Sequence, residues 1–371
     1  MFALKTTIHQ YETFAQFVDE FQLGKCDLII TQSFTYDQFI KHLGLPCSLI
    51  IQDKYGIGEP SDEMIQKIMN DHADCDFNRV VAIGGGTVID ISKLFALGIL
   101  KNVTDAFERR IPIVKKKQLV IVPTTCGTGS EVTNISIAEL KQKHTKLGLA
   151  DDAILADNAV LIPELLKSLP FKPYAFSSID ALVHATESYL SPKATAYSRL
   201  FSIEAIKIIV PIFKHIAQEG EDFRFKALDP ILRASNYAGI AFGNAGCAAV
   251  HALSYPLGAV YHVAHGESNY QFFTHILNLY AEKKPDGSIK DLNSLYAHLL
   301  GIDSKPKIVN KALDELLSCM VKKRHLKEYG MKEIECEVFA DNVIVSQQRL
   351  LKNNYVPLSR DEIVCVYKDL F

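Results

Sequence analysis

The sequence predicts an α/β N-terminal half, built on a parallel sheet covered on both faces, followed by an all-helical C-terminal half. Three observations lead there. The chain has 371 residues, too many for one ordinary core, so two domains are expected. Its first half alternates short, nearly continuous runs of Ile, Val and Leu with helical stretches, the rhythm of parallel strands joined by crossover helices. From about residue 171 the strand signals fade and helical periodicity takes over. The expected division is residues 1–170 and 171–371, with Pro163, Pro170 and Pro173 marking the changeover.

In chain order, "CDLIITQ" (26–32), "CSLIIQ" (47–52), "RVVAIGGG" (79–86) and "QLVIVPTT" (118–125) read as buried strands. A helix is expected over 61–73, opening on a Ser-Asp cap. The second half offers helical periodicity over 197–220, 230–242, 291–301, 310–323, 333–353 and 359–371. No internal repeat and no low-complexity tract appears.

Bulk properties exclude several partners. The formal net charge is −3 and Lys115-Lys116-Lys117 is the densest basic cluster, which is no footprint for nucleic acid or an acidic membrane surface. No run of about eighteen apolar residues suggests a membrane span. The N-terminus "MFALKTTIHQYETFAQF" lacks the charged-then-apolar pattern of a signal peptide. Eight cysteines stand singly, with no Cys-x-x-Cys pair, as expected for free thiols in a reducing compartment, the cytoplasm.

Two turns carry the first chemical signal. "VVAIGGGTVIDISK" (80–93) runs from a strand through Gly84, Gly85 and Gly86 into a helix that begins near Thr87. Bare glycines let a ligand approach the backbone, and the helix N-terminus suits phosphate. The pattern is neither G-x-G-x-x-G nor a P-loop. "VIVPTTCGTGSEVTN" (120–134) also follows a strand and brings Thr124, Thr125 and Thr128 into a polar loop. Two such loops at the carboxyl edge of neighbouring parallel strands predict one nucleotide site.

The second signal lies in the helical half. In "SSIDALVHATESY", Asp180 and His184 stand four apart, so a helix presents carboxylate and imidazole on one face. Alone, this pair reads equally as a cap and a satisfied core histidine. "GNAGCAAVHALSYPLGAVYHVAHGESNYQFF" (243–273) adds His251, His262 and His265. One carboxylate and three imidazoles suit a divalent metal such as Fe²⁺ or Zn²⁺; spacing does not tell whether His262 is a ligand or lines a pocket.

Together, "GGGTVIDISK", "PTTCGTGSEVT", "IDALVHATESY", "VHALSYPLG" and "HGESN" resemble the iron-containing (group III) alcohol dehydrogenase family over nearly the whole chain. The resemblance implies a Rossmann-like N-terminal domain in a dehydroquinate synthase-like architecture. It implies a metal held by Asp180, His184, His251 and His265, with NAD on Gln32, Gly84, Gly85, Gly86, Thr87, Asp90, Thr124, Thr125, Thr128 and Lys146. "NYAGIAFGNAG" and "IPELLKSLPF" resemble most the members that interconvert 4-hydroxybutyrate and succinate semialdehyde; the alternative is another primary alcohol or a diol. A sensor that kept the nucleotide site without turnover would have no use for four intact ligands. Two departures stand out. Tyr255 replaces a histidine found one turn after the first ligand of the second cluster in many members; it becomes a candidate for the substrate carboxylate, with His262, Asn269 and Tyr270. Gln32 replaces an aspartate that contacts the adenosine ribose, which weakens the expected exclusion of NADP. A homodimer is the expected assembly.

Overall fold

A computed structural model describes residues 1–143 and 145–371. The chain divides into two compact units, Leu4–Leu169 and Pro170–Phe371, the latter joined by Met1–Ala3. That N-terminal tripeptide is pinned by the Asn244 side chain, which accepts from Ala3 N (2.7 Å) and donates to Ala3 O (3.0 Å).

The first unit is built on β1 (Thr7–Gln10), β2 (Asp27–Thr31), β3 (Ser48–Ile51), β4 (Arg79–Gly84), β5 (Gln118–Pro123) and a later strand. A hairpin apart from that sheet supplies β6 (Ile135–Leu140) and β7 (Thr145–Ala150), paired antiparallel. The later strand is β8 (Asn158–Leu161), and the sheet runs β1-β8-β5-β4-β2-β3. All its pairings are parallel. The four apolar runs thus become the four central and right-hand strands. β1 and the hairpin carry no comparable run, and sequence reading passed over them; it also passed over β8, although Ala159 to Ile162 form a buried apolar run.

Pleating explains why the central runs are apolar throughout. Val80, Ala82, Leu119 and Ile121 enter the core on one face, while Val81, Ile83, Val120 and Val122 enter the core on the other. Alternate residues face opposite sides of a strand, and both sides are covered. Each fully buried Val or Ile contributes about 1.5–3 kcal/mol of transfer free energy. Helices α1 (Phe14–Phe21), α2 (Asp62–Asp71), α3 (Gly86–Phe95) and α4 (Val103–Phe107) supply the cover. Ser61 caps α2 as expected, accepting from Met64 N at 3.2 Å.

The second unit is helical: α5 (Phe171–Leu190), α6 (Ala196–Glu219), α7 (Leu228–Ala245), α8 (Ala249–Tyr261), α9 (His265–Lys283), α10 (Ser288–Leu300), α11 (Pro306–Met320), α12 (Glu335–Ser346) and α13 (Arg360–Leu370). The helix expected over 333–353 stops at Ser346 and resumes as a short turn, Gln348–Leu351. Residues Ser178 to Leu190 of α5 are all buried, the signature of a helix enclosed on every side. No helix among the described residues is long and apolar enough to cross a membrane.

Candidate metal centre and nucleotide turns

The central helix α5 carries Asp180 and His184 one turn apart, 3% and 5% exposed. Helix α8 brings His251, and the first residue of α9 is His265. What lets α9 start here is Gly266: a Cβ at that position would lie 2.0 Å from Phe176 O and 3.3 Å from Asp180 Cβ. Only a glycine allows the two backbones to approach so closely, and the approach sets His265 beside Asp180. Each of these four side chains offers one ligand atom, and the four atoms all lie within 4.8 Å of one another. His184 Nε2 and His251 Nε2 face each other at 3.0 Å.

The surroundings fix these groups. Glu187, one turn beyond His184 on α5, accepts from His251 Nδ1 at 2.6 Å and from the backbone amides of Ala248 (2.9 Å) and Val250 (2.6 Å). A proton held on Nδ1 leaves the Nε2 lone pair of His251 turned inward, the arrangement second-sphere carboxylates impose on metal-binding histidines. Asn269 donates to Asp180 Oδ1 at 2.7 Å, and its own carbonyl is held by Ser254 Oγ at 2.5 Å. Phe242 stacks on His184 with ring centroids 4.1 Å apart.

Electrostatically the pocket favours positive charge. Burial works to raise the Asp180 carboxyl, yet His184, His265 and His251 hold it well below the usual carboxylate range. Burial works to lower the His251 imidazole, but Glu187 and Asp180 pull it up to about 9. Three imidazoles and a carboxylate, converging and net receptive to a cation, fit a divalent metal. A second grouping, Glu187 with Cys247 and His251, fits less well. Glu187 is already engaged by three donors, and burial and the Glu187 charge raise the Cys247 thiol well above its ordinary value, away from the thiolate a metal needs.

The remaining candidates divide. Tyr255 is half-buried one turn past His251, its ring 6.0 Å from that of His265. His262 is exposed in a left-handed conformation that ends α8. Tyr270 is buried with its hydroxyl 3.0 Å from Ser318 Oγ, and Asn269 serves Asp180. Both of the last two are fully buried.

In the first unit the two glycine-bearing turns abut. Thr124 N donates to Gly84 O at 3.1 Å. A Cβ on Gly85 would meet Thr125 Cγ2, and one on Gly86 would meet Thr128 Cγ2, each at 3.3 Å. Both turns leave the carboxyl ends of neighbouring strands, beside the place where the order reverses between β2 and β4; open α/β sheets bind nucleotides at such a switch point. Thr87 Oγ1 donates to Gly58 O at 2.9 Å. Asp90 turns toward its own chain, accepting from Ser130 Oγ (3.3 Å) and Ile137 N (3.1 Å). Lys146 forms an ion pair with Glu59, and Gln32 Nε2 donates to Gln52 Oε1 at 3.3 Å.

Sequence reading passed over Lys93, in the same "IDISK" phrase. It is fully buried and donates to Ser130 Oγ (2.7 Å), Thr133 Oγ1 (3.2 Å) and Ile135 O (2.6 Å), bracing the turn after β5 from beneath. It passed over Glu187 too, although its spacing from His184 put it on the ligand face of α5.

Comparisons with known proteins bear on this geometry. Residues 5–163 match the family described as iron-containing alcohol dehydrogenase, and residues 174–371 match the C-terminal region of the Fe-containing alcohol dehydrogenase family. The 4-hydroxybutyrate dehydrogenase of Clostridium kluyveri is 50% identical over 368 residues, which cover 99% of each chain. An iron-containing alcohol dehydrogenase from Thermococcus thioreducens superposes with a TM-score of 0.84 at 25% identity, over 100% of this chain and 99% of that one. A sulfoacetaldehyde reductase from Bifidobacterium kashiwanohense, solved in complex with NAD⁺, superposes with a TM-score of 0.83 at 21% identity, over 100% and 98%.

Proposed function

Because this chain belongs to the iron-containing alcohol dehydrogenase family, we propose that it interconverts 4-hydroxybutyrate and succinate semialdehyde by hydride exchange with NAD. The observation that carries this is the convergence of Asp180, His184, His251 and His265 in a pocket receptive to a cation. The full-length similarity to the Clostridium kluyveri enzyme supplies the substrate. When bound, a divalent metal supplies Lewis acidity to the substrate oxygen and the nicotinamide accepts or donates the hydride. The donor set accepts Fe²⁺ or Zn²⁺, and the family's description favours Fe²⁺.

The chain's own residues prepare that chemistry. Glu187 keeps a proton on His251 Nδ1, so that Nε2 is the nitrogen a bound cation would meet in place of a proton. Asn269 Nδ2 orients Asp180 through Oδ1, and Phe242 against His184 keeps water from that imidazole face. Gly85 and Gly86 let the two turns abut at the start of α3, whose first backbone amides suit a pyrophosphate. We assign Thr87, Thr124, Thr125 and Thr128 to the cofactor cradle with them, and Lys146, now paired with Glu59, to the same ligand.

Tyr255 is proposed as the donor that meets the substrate carboxylate, since an unpaired buried anion is costly. Its half-buried place near His265 supports the role. Tyr255→Phe is expected to raise the KM for succinate semialdehyde by about tenfold, the worth of one hydrogen bond to a charged group, with little change for butanal, which has no carboxylate. A wild-type enzyme that reduces butanal as efficiently as succinate semialdehyde would overturn the hydroxy-acid reading in favour of a general primary alcohol or diol.

The eight cysteines are free thiols, which supports a reducing compartment such as the cytoplasm. Exposed Val338 and Val345 on α12, with Ile334 just before it, support a homodimer, checked by sedimentation.

A further inference from the structure

The corner where β2 ends carries an amide, Gln32, and a carboxylate reaches it from the next strand. In dinucleotide-binding sheets an acidic side chain at this corner accepts the adenosine ribose hydroxyl and disfavours the 2′-phosphate of NADP. The residue that follows β2 here is Gln32, and its amide donor is turned sideways to Gln52 Oε1. Gln52, 1% exposed, is in turn fixed by donating to Gly56 O at 3.0 Å. Gln32 therefore carries no charge to repel a phosphate, and one of its two amide protons is already committed to Gln52.

The neighbouring strand supplies a carboxylate. Strand β3 pairs with β2 in register, Thr31 opposite Ile51, so the two strands end side by side. Two residues past Ile51 stands Asp53, whose Oδ1 accepts from Ser33 N at 2.8 Å and Ser33 Oγ at 3.1 Å. These bonds draw the carboxylate across from β3 to the first residue after Gln32. Among the described residues, every hydrogen bond of Asp53 uses Oδ1, which leaves Oδ2 as an acceptor. The side chain is half-buried, so its charge is screened less than that of exposed Lys54 beside it.

We propose that Asp53 is the cofactor-specificity residue of this chain: its carboxylate accepts the adenosine ribose hydroxyls and repels a 2′-phosphate, preserving NAD selectivity despite Gln32. This rests on the nucleotide site proposed above. Asp53→Asn is the informative change, because the amide oxygen still accepts both Ser33 donors and the strand ends stay in place.

Metal-free protein is titrated with NADH and with NADPH, following nicotinamide fluorescence; the chain contains no Trp to interfere. Wild type should bind NADH at least about tenfold more tightly than NADPH, as expected for one nearby charge of like sign. In Asp53→Asn that ratio should fall to within about twofold, and adding Gln32→Asp should restore it. A measurement without any variant accompanies these: raising salt from about 0.05 to about 0.5 M should narrow the wild-type ratio through screening. An unchanged ratio in a folded Asp53→Asn protein overturns the assignment. So does a wild-type ratio insensitive to salt. If NADH itself fails to bind, the nucleotide site falls first and this assignment with it; if NADH binds and only the ratio stays fixed, the site stands and Asp53 does not select.

Discussion

Glu187 serves three donors with one carboxylate, tying the start of α8 to α5 while holding the His251 tautomer. Glu187→Gln can keep the two bonds on one oxygen but not the third, and it loses the charge, so metal affinity should fall about 10–100-fold, the usual cost of weakening a second-sphere partner. Competition with a chelator measures it; unchanged affinity would sink the orienting role. Asp180→Ala or His265→Ala should lose bound metal and turnover while still binding NADH, whose candidate residues lie in the other unit. Near wild-type activity in either variant would remove that residue from the ligand set. Lys93 supplies a pH test. Burial lowers its ammonium from 10.5 to about 8. Between those values the unfolded chain holds the extra proton, so the Lys93 contribution makes stability rise with pH, from about 8 to about 10. Thermal melts of Lys93→Met across that range should lose this upward slope; an identical slope in the variant counts against a lowered Lys93 ammonium. At this scale sequence reading succeeded where partners share a helix turn. Asp180 and His184 announce themselves by spacing. Asp53 did not, because its meaning depends on Ser33 of another strand, and strand neighbours are a tertiary fact.

Between elements, the tightest constraint is the crossing of α9 over α5. A methyl group at Gly266 would sit 2.0 Å from Phe176 O and 2.7 Å from its carbonyl carbon, both backbone atoms that cannot swing away. Gly266→Ala should therefore push the helices apart, costing about 1–3 kcal/mol as overpacking does, and should lower metal occupancy by displacing His265. Metal analysis with a melting curve checks both; an alanine variant with full occupancy would contradict the close crossing. The element-level reading of the sequence was good for β2, β3, β4 and β5, whose residues are apolar on both faces. It missed β1, β8 and the β6–β7 hairpin. The edge strand β1 and a two-stranded ribbon need not be apolar throughout: "ISIAEL" alternates buried and half-buried positions, and so short an alternation is a weak signal; β8 lies inside the sheet, and its short apolar run stands just before Pro163. The run 333–353 looked like one helix because nothing in its composition marks the break at Gln347.

For the whole molecule, metal is linked to stability. A ligand that binds only the folded chain adds about 2.7 kcal/mol at a hundredfold excess over its Kd, so Fe²⁺ should raise the Tm of wild type and leave Asp180→Ala where it was. An equal rise in both would place the ion elsewhere. The division into an α/β and a helical part followed from a change of periodicity near residue 171, a signal that integrates over many residues. The position of Met1–Ala3 on the helical unit had no such signal, since it depends on two hydrogen bonds to one asparagine. The spread of the cluster along the chain also dictates an order of events. Asp180 and His184 become neighbours as soon as α5 forms, whereas His251 and His265 arrive only once α8 and α9 have docked against it. A two-ligand half site is a poor trap for an ion, so capture is expected only after α8 and α9 have docked. Loaded protein should accordingly refold no faster than the apoprotein yet unfold far more slowly, because an interaction absent from the transition state acts on the unfolding limb alone. A metal held by these four residues would then work as a latch on a finished molecule, and its loss would set the clock for how long the fold lasts.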